Sequence, residues 1–328
     1  MRWRVWLAAV VLGWGAVSWA QDGQRRFGLA DPPPKPEGTI RLTTYNVENL
    51  FDEKDDPALS GELEDIDDAK PKEHIEAVAA AIRRLDPDIL ALQEVESKEV
   101  VLWFRDTFLA GMGYDYVASL DAGDPRGIEN AVLSRFPIRE EEVWLNLPLG
   151  VHPPKLGSRD HPEAGQPLVL KRSPLGVKVE VGEGERLTMF VVHHKSGRDY
   201  GYQRTAEAKR VVELAKGAGS GNPEAWVVIL GDFNSVPGSE AHQTYSDAGW
   251  VDVIPGARTA ETTSHSSGRA IDHILVTPSM SKHLAGQGFV LGTVDRPEGA
   301  DWRTTPEPAG WASDHYPVSV DLRIGKPR

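Results

Sequence analysis

The apolar positions of this chain follow two periodicities, and both recur between residues 40 and 322. Short runs of about four to eight apolar or β-branched residues predict buried strands. Such runs occupy 40–46, 89–92, 114–119, 130–133, 176–181, 187–192, 226–230, 271–276, 289–294 and 318–322. Apolar residues spaced three and four apart predict amphipathic helices at 73–85, 100–109 and 204–216.

The connections between these elements narrow the fold class. The turn from Gly182 to Glu185 joins two predicted strands as a hairpin, whereas helices join other strands. The sequence contains no glycine-rich fingerprint for a nucleotide phosphate. This mixture of hairpins and helical crossovers predicts an α/β sandwich with mixed sheets, and it disfavours a barrel or a Rossmann fold.

The N-terminal region predicts export. Two arginines precede an apolar stretch from Val5 to Trp19, and the small residues Ser18 and Ala20 match a signal-peptidase site. We therefore predict a signal peptide at 1–20, a linker or extended lead-in at 21–38 and one folded domain at 39–325. The mature protein is expected to be secreted or periplasmic.

Composition excludes some classes of function. The 328 residues carry a formal net charge of −13, which disfavours nucleic-acid binding by electrostatics alone but not a nuclease with a metal. The absence of cysteine excludes a thiol nucleophile and a cysteine-based zinc site. No run of about 20 apolar residues lies beyond the N-terminus, so no stable membrane association is expected. We also expect a monomer.

Polar residues that could support catalysis stand at the ends of several predicted strands. They are Asn46 with Glu48, Glu94, His193, Asp232 with Asn234, Asp272 with His273, and the group Ser313-Asp314-His315. Any one of them could be a cap or a turn residue. The ends of packed sheets converge, however, and carboxylates gathered in one place need a cation. Oxygen-rich ligands favour Mg²⁺, or Mn²⁺ or Ca²⁺, over Zn²⁺.

Several of these residues keep two interpretations. Asp272 closes a turn, or it holds a histidine ring and raises its basicity. His193 and His194 point to opposite faces of a strand, so only one of them can face a given cleft. Arg126 and Lys195 bind a substrate phosphate, or they are solvated surface charges.

Five ordered motifs resemble those of the endonuclease/exonuclease/phosphatase superfamily. They are Thr44–Asn49, Leu92–Val95, Gly231–Asn234, Ile271–His273 and Ser313–Val318, and the resemblance spans about residues 39–323. It implies a four-layer α/β sandwich of the deoxyribonuclease I-like type. Two central mixed β-sheets would share one active site at their edge.

The resemblance also implies a metal centre and substrate contacts. Glu94 would be the main ligand of the divalent ion, with Asn46 and Asp314 near the same ion. Arg126 is a candidate for a contact to the substrate phosphate in the region where members of the superfamily differ most, and Lys195 is a second candidate. The repair nucleases of the superfamily carry a tyrosine in that region that this chain lacks, so an abasic-site activity is not expected.

The remaining site residues are expected to perform the chemistry. Asp232 would orient or deprotonate the attacking water, and Asn234 would stabilise the pentacovalent phosphate. His315, held by Asp272, would act as general base or transition-state donor. The pattern His-x-Lys-Ser favours His193 as the second catalytic histidine, near the leaving oxygen.

The function implied by the resemblance is phosphoester hydrolysis. We expect a secreted, metal-dependent phosphodiesterase, and more narrowly a nuclease acting on DNA or RNA. A sphingomyelinase-type lipid phosphodiesterase and an inositol-phosphate phosphatase are alternatives of the same fold, and a non-catalytic binding module is a further alternative. A lipid enzyme should expose an apolar hairpin, for which the apolar positions between Trp144 and Val151 are the candidate.

Overall fold

A computed structural model describes residues 25–54, 69–153, 165–182, 185–220, 222, 225–256 and 258–324. Two six-stranded sheets pack face to face, and helices cover the outer face of each sheet. The predicted four-layer α/β sandwich with two central mixed sheets is confirmed. The predicted signal peptide at 1–20 lies outside the described residues, and so do parts of the linker predicted at 21–38 and of the domain predicted at 39–325.

The first sheet contains the first four strands of the chain and its last two. Its members are β1 (Thr39–Leu50), β2 (Ile89–Val95), β3 (Tyr116–Ser119), β4 (Glu129–Ser134), β11 (Phe289–Val290) and β12 (Val318–Arg323). Their order in the sheet is β11-β12-β1-β2-β4-β3. The central pair, β1 with β2, is parallel, and its regular register ends at Asn46 opposite Gln93. The other pairs are antiparallel.

The second sheet repeats this plan. Its members are β5 (Ile138–Glu142), β6 (Leu175–Glu180), β7 (Arg186–His193), β8 (Trp226–Asp232), β9 (Val251–Asp252) and β10 (Asp272–Val276). Their order is β5-β6-β7-β8-β10-β9. The central pair, β7 with β8, is parallel and ends at His193 opposite Asp232. The hairpin predicted between β6 and β7 is confirmed by their antiparallel register.

Helices form the two outer layers. They are α1 (Lys72–Leu85), α2 (Lys98–Phe108), α3 (Gly201–Ala218), α4 (Glu240–Asp247) and α5 (Pro278–Ser281). Helix α1 buries Ile75, Val78 and Ile82 against the first sheet, as their spacing predicts. It ends where Asp86 adopts a left-handed conformation with φ of 49°, directly before Pro87. No helix among the described residues is both long and apolar enough to cross a bilayer.

Alternating residues of the strands fill separate cores. The core between the sheets joins Leu42 and Ile89 of the first sheet to Val191 and Val228 of the second. The strand neighbour Leu90 points the other way and packs under the helices. Burying one such side chain stabilises the fold by about 1.5–3 kcal/mol. Because both faces of each sheet are covered, the strand ends that carry the polar residues are held firmly in place.

The sequence patterns miss several elements, among them β5, β9, α4 and α5, and overextend one strand. Strand β5 is almost entirely charged and exposed; it joins the sheet edge through antiparallel backbone pairing with β6, beside surface ion pairs such as Arg139 with Glu180 at 2.6 Å. Helix α4 is too short to show a helical repeat. The strand predicted at 289–294 shortens to Phe289–Val290, because Gly292 already bonds to Leu29 rather than to β12.

Candidate active site

The ends of the two parallel strand pairs bring the predicted polar residues together. The His193 Nε2 atom lies 3.4 Å from Glu94 Oε1 and 3.7 Å from Asp232 Oδ2. The Asn46 Nδ2 atom donates across the sheets to Asp232 Oδ2 at 3.3 Å. The His315 Nε2 atom lies 3.8 Å from the same oxygen. Asp232 therefore stands at the centre of a site to which both sheets contribute.

Glu94 reaches this site through an irregularity in β2. The register of β2 shifts between Gln93 and Val95, and Glu94 has a positive φ of 62°. A bulge of this kind turns one side chain away from the regular alternation. The carboxylate accepts the N–H of Asn49 at 3.2 Å and pairs with Arg126 at 3.4 Å. The strained backbone costs about 1–3 kcal/mol, and the packing around it must hold it in place.

Asp232 is positioned by the residues on either side of it. Gly231 has a φ of 138°, and a Cβ there would lie 2.0 Å from the carbonyl oxygen of Val192, so only glycine allows this close approach. Asn234, with φ of 47°, donates its backbone N–H to Asp232 Oδ1 at 2.7 Å. Its Nδ2 donates to Asp232 Oδ2 at 2.9 Å and to the carbonyl of His194 at 3.0 Å. Both side-chain N–H groups of Asn234 are therefore occupied in this structure.

The His315 imidazole is held by Asp272 at the start of β10. The Nδ1 atom lies 2.9 and 3.0 Å from the two carboxylate oxygens. Asp272 Oδ2 also accepts a hydrogen bond from Ser264 Oγ at 2.8 Å. Burial alone would lower the pKa of His315, but Asp272, Asp314 and Asp232 raise it well above its ordinary value. The ring is thereby favoured as a cation.

His193 and His194 face opposite sides of the second sheet, and His193 faces the site. Burial and then Arg172 lower the pKa of His193 well below its ordinary value. Arg172 can only donate, so the His193 Nε2 atom, 3.2 Å from it, accepts the hydrogen bond. His194 instead lies 2.7 Å from the Tyr245 hydroxyl and 3.3 Å from Glu207 under the helices. The site therefore combines a neutral His193 with a charged His315.

Asp314 and Glu48 form the other side of the site. Glu48 Oε2 accepts hydrogen bonds from Trp311 Nε1 at 2.8 Å and from the Asp314 backbone N–H at 3.1 Å. The Asp314 Oδ2 atom lies 3.3 Å from His265 Nε2. Lys70 Nζ donates to the Glu48 carbonyl at 2.9 Å. Glu48 is already a candidate from the sequence, because it stands beside the predicted ligand Asn46. Nothing in the sequence indicates that Lys70, His265 or Trp311 belongs to the site.

Two arginines face the acidic residues, and the sequence patterns miss one of them. Arg172 Nε lies 2.7 Å from Asp124 Oδ2, and Arg126 lies 3.5 Å from the same oxygen. Arg172 lies outside every strand and helix that the sequence predicts, and nothing in the sequence distinguishes it from a surface cation. Lys195 Nζ lies over the ring of Tyr200, 4.6 Å from its centroid. Burial, followed by Arg172 and Arg126, lowers the pKa of Lys195.

The donor atoms of the site fit a hard divalent cation. Burial is the main cause that raises the pKa of Glu48 and that of Asp232 to about 7, so cations of the protein do not fully compensate these carboxylates. Beside Glu94, the buried Oδ1 of Asn49 has no hydrogen-bond partner among the described residues. Carboxylate and amide oxygens are the ligands that Mg²⁺, Mn²⁺ and Ca²⁺ accept. Those available here belong to Asn46, Glu48, Glu94, Asp232 and Asp314.

A second group of histidines lies on the outer side of the second sheet. His273 Nδ1 lies 3.1 Å from Asp252 Oδ2, and His242 Nε2 lies 3.5 Å from the same oxygen. The Arg258 guanidinium already contacts that oxygen at 2.6 Å. A cation of the protein therefore fills this position, and the group forms an internal ion-pair network rather than a candidate metal centre.

A sandwich of two mixed sheets with carboxylates and two histidines at one edge defines a class of metal-dependent phosphoester hydrolases. The model of the Endonuclease/Exonuclease/phosphatase family matches residues 43–315, and the chain belongs to this family. It is thus an enzyme, a divalent-metal-dependent phosphoester hydrolase. No curated protein sequence matches the chain at a significant level.

Solved structures confirm the fold. The human Nocturnin catalytic domain with bound sulfate is 15% identical, with a TM-score of 0.57 over 88% of this chain and 95% of that one. A family member from Bacteroides thetaiotaomicron is 21% identical, with a TM-score of 0.57 over 87% and 97%. A mannosyl-6-phosphatase from the same species is 20% identical, with a TM-score of 0.55 over 86% and 99%. At these identities the likeness concerns the fold alone.

Proposed function

We propose that the chain is a secreted, Mg²⁺-dependent phosphodiesterase and, within that class, a nuclease acting on DNA or RNA. The observation that carries the proposal is the pair of unlike histidines around Asp232. Burial and Arg172 lower the pKa of His193 and favour its neutral form, whereas Asp272, Asp314 and Asp232 outweigh burial and raise the pKa of His315, which favours the cation. Cleaving a phosphodiester requires a proton acceptor for the attacking water and a donor for the leaving oxygen. A site with one group of each kind suits that reaction.

The residues of the chain divide this chemistry among them. Glu94, with Asn46 and Asp314, would hold the Mg²⁺ ion, which neutralises charge on the phosphate oxygens when bound. Asp232 would accept hydrogen bonds from the attacking water and orient it. Asn234 would keep the Asp232 carboxylate in place, and a contact from its amide to the phosphate requires release of one of its present hydrogen bonds.

The cations of the site support a polyanionic substrate. Arg126 and Arg172 lie beside Glu94 and His193, where they can bind phosphate oxygens next to the reacting group. Both are anchored by Asp124, so their positions are fixed before substrate binds. Guanidinium groups held in this way suit a nucleic-acid backbone, which presents phosphates on both sides of the scissile bond.

The lipid alternative finds less support in the structure. Trp144 stacks on Phe190 at 5.6 Å between ring centroids, and Leu149 is buried. Leu145 is 47% exposed, but a single exposed leucine is common on any protein surface. The segment from Trp144 to Leu149 therefore packs mainly into the protein instead of forming an apolar hairpin for a membrane.

One assay tests the proposed substrate class. The mature protein is incubated with plasmid DNA, RNA, sphingomyelin and inositol phosphates, each with Mg²⁺ and with a chelator. We expect metal-dependent cleavage of nucleic acid, and we expect Glu94→Ala, Asp232→Ala and His315→Ala each to abolish it without unfolding the protein. His242→Ala, which removes a buried histidine outside the site, should retain activity. Turnover of sphingomyelin alone would contradict the proposal.

Export is proposed on the N-terminal sequence and needs its own test. Expression of the full chain in a bacterial host, followed by cell fractionation and mass spectrometry, gives the N-terminus of the mature protein. We expect an exported product that begins after Ala20. An intact N-terminus on protein retained in the cytoplasm would contradict the proposal.

A further inference from the structure

Glu207 is a buried carboxylate behind the candidate site, on the side of β7 that faces the helices. The residue belongs to α3 and is 1% exposed. Its Oε2 atom accepts the backbone N–H of Lys195 at 3.0 Å and lies 3.3 Å from His194 Nδ1. Its Oε1 atom accepts an N–H of Gln203 at 2.8 Å. A glutamate is almost never fully buried unless it is paired, so these contacts explain why a charged residue stands at this position of α3.

The hydrogen bond that Glu207 accepts from Lys195 fixes a peptide group at the border of the site. The N–H of Lys195 and the carbonyl of His194 belong to the same peptide group, which is planar and rotates as a unit. On its other edge, the carbonyl accepts hydrogen bonds from Asn234 Nδ2 at 3.0 Å and from Arg172 Nη1 at 3.3 Å. The carboxylate and these two donors therefore hold opposite edges of one peptide group.

The imidazole of His194 holds the carboxylate in turn. Its Nε2 atom lies 2.7 Å from the buried hydroxyl of Tyr245, and its ring packs edge-on against Phe233 with 5.6 Å between the centroids. An ionised carboxylate can only accept hydrogen bonds, so the Nδ1 hydrogen points to Glu207 and Nε2 accepts from the tyrosine. Glu207 is thus fixed by Gln203 within α3 and by His194 from the sheet.

We propose that Glu207 is a positioning residue that sets the orientation of the peptide group between His194 and Lys195. It thereby holds Arg172 for the substrate phosphate and Asn234 for the aspartate that orients the water. The inference rests on the proposed function, which gives these two side chains their roles. Without the carboxylate, the Lys195 N–H loses its partner and the peptide group turns to find another, which moves the carbonyl away from both donors.

The expected metal ligands lie on the other side of the site. The contacts of Glu207 belong to α3 and the end of β7, whereas Glu94 and Asn46 belong to the first sheet and Asp314 directly precedes its last strand. Loss of the Glu207 carboxylate should therefore weaken phosphate binding and turnover while the affinity for the metal stays the same. A general distortion of the site would lower both affinities together.

Rates and affinities of the full chain test the inference. Glu207→Met removes the acceptor at nearly constant side-chain volume. With bis(4-nitrophenyl) phosphate and saturating Mg²⁺, kcat/KM should fall by about 10²-fold, the effect of misplacing orienting groups by about 1 Å. Inorganic phosphate should inhibit the variant more weakly, and the Mn²⁺ affinity in titration calorimetry should be unchanged. Glu207→Gln keeps an oxygen for the Lys195 N–H and should retain most of the activity.

Two further variants complete the design. Glu213→Met is the matched control, because Glu213 lies on an exposed position of the same helix, and it should behave as the wild type. If Glu207→Met does not fold, His194→Phe keeps a ring against Phe233 but removes the polar contact to the carboxylate. It should show the same selective loss of phosphate affinity and turnover.

The outcomes separate this inference from the proposed function. An unchanged kcat/KM in folded Glu207→Met would overturn the inference and leave the proposed function standing. The same holds for an equal loss in Glu207→Gln, because packing would then matter rather than the hydrogen bond, and for a parallel loss of Mn²⁺ affinity. A wild type that neither hydrolyses the diester nor binds phosphate would overturn both. A selective loss in Glu207→Met that Glu207→Gln largely restores would support the positioning role.

Discussion

Replacing Asp272 by asparagine should inactivate the enzyme by changing the tautomer of His315. Ser264 Oγ accepts the backbone N–H groups of Ile271 and Asp272, both at 3.0 Å, and donates its own hydrogen to Asp272 Oδ2 at 2.8 Å. The hydroxyl has no lone pair left to accept from an amide. The new side chain must therefore turn its oxygen to Ser264 and its NH₂ group to His315 Nδ1.

This arrangement removes both the proton on Nδ1 and the positive charge that the site gives to His315. The Nδ1 atom has to accept the amide hydrogen, so the ring carries its only proton on Nε2 and cannot hold the second proton, on Nδ1, that makes it a cation. Burial lowers the pKa of His315, and with the Asp272 charge gone fewer carboxylates oppose it, so the ring becomes neutral. General acid–base catalysis contributes about 10²–10⁴-fold. We expect kcat to fall by that factor. Such a fall corresponds to a rise of about 3–5 kcal/mol in the activation free energy.

The assay is hydrolysis of bis(4-nitrophenyl) phosphate with saturating Mg²⁺ from neutral to alkaline pH, because the pKa of His315 is raised well above its ordinary value. The wild-type pH profile should contain a limb that belongs to His315 and is missing from Asp272→Asn. Asp321→Asn is the control, because Asp321 is also a buried aspartate with both oxygens bound, in its case by Arg41 at 2.8 Å. It should lower stability and leave kcat unchanged.

Two results would refute this reasoning. An unchanged kcat in Asp272→Asn would show that the charge and tautomer of His315 do not matter for the reaction. NMR of the imidazole nitrogens that finds the proton on Nδ1 in the variant would show that Ser264 does not dictate the orientation of the amide. Circular dichroism and thermal unfolding must first establish that the variant is folded.

Three further predictions concern the fold and its linkage to pH. Gly231→Ala should prevent stable folding, because the added Cβ would lie 2.0 Å from a backbone oxygen of β7; thermal unfolding measures this. The metal-free protein should lose stability as the pH rises from about 4 to about 7, because the pKa of Asp232 in the folded state is about 7 and lies above its unfolded value of about 3.9. Saturating Mg²⁺ should flatten this slope. Arg41→Met should cost about 3–5 kcal/mol in urea unfolding, because it leaves Asp321 buried without its partner.

Each of these predictions has a control or a contradicting outcome. Gly217→Ala lies at an open position in α3 and should be neutral or stabilise by up to about 1 kcal/mol. Stability of the metal-free protein that is flat or rises between about pH 4 and pH 7 would contradict the raised pKa of Asp232. An Arg41→Met protein as stable as the wild type would show that the buried ion pair contributes nothing to the fold.

The elements that the sequence predicts are those that bury apolar side chains. Strands such as β2 and β8 are buried on both faces, so their apolar runs stand out. Strand β5 is held at the sheet edge by backbone pairing with β6, and nothing in its charged sequence distinguishes it from a loop. The bulge that turns Glu94 into the site is equally hidden, since it depends on how β2 meets its neighbours.

The residues of the candidate site also fall into two groups, those that the sequence predicts and those that it does not. Asp232 and His193 could be predicted, because each ends a recognisable strand and such ends converge. Lys70 and Arg172 could not, because they lie in irregular segments and meet their partners only in the folded chain. Lys70 contacts a carbonyl 22 positions earlier in the sequence, and Arg172 contacts a histidine 21 positions later. Local pattern contains no information on contacts of that kind.

The most direct test of the metal centre is an anomalous diffraction map from crystals of the full-length enzyme soaked in Mn²⁺. We expect one peak at the edge shared by the two sheets, coordinated by the side-chain oxygens of Glu94 and Asn46 and adjacent to Asp232. A peak between His242 and Asp252 instead, or no peak at an ion concentration that saturates activity, would contradict the account.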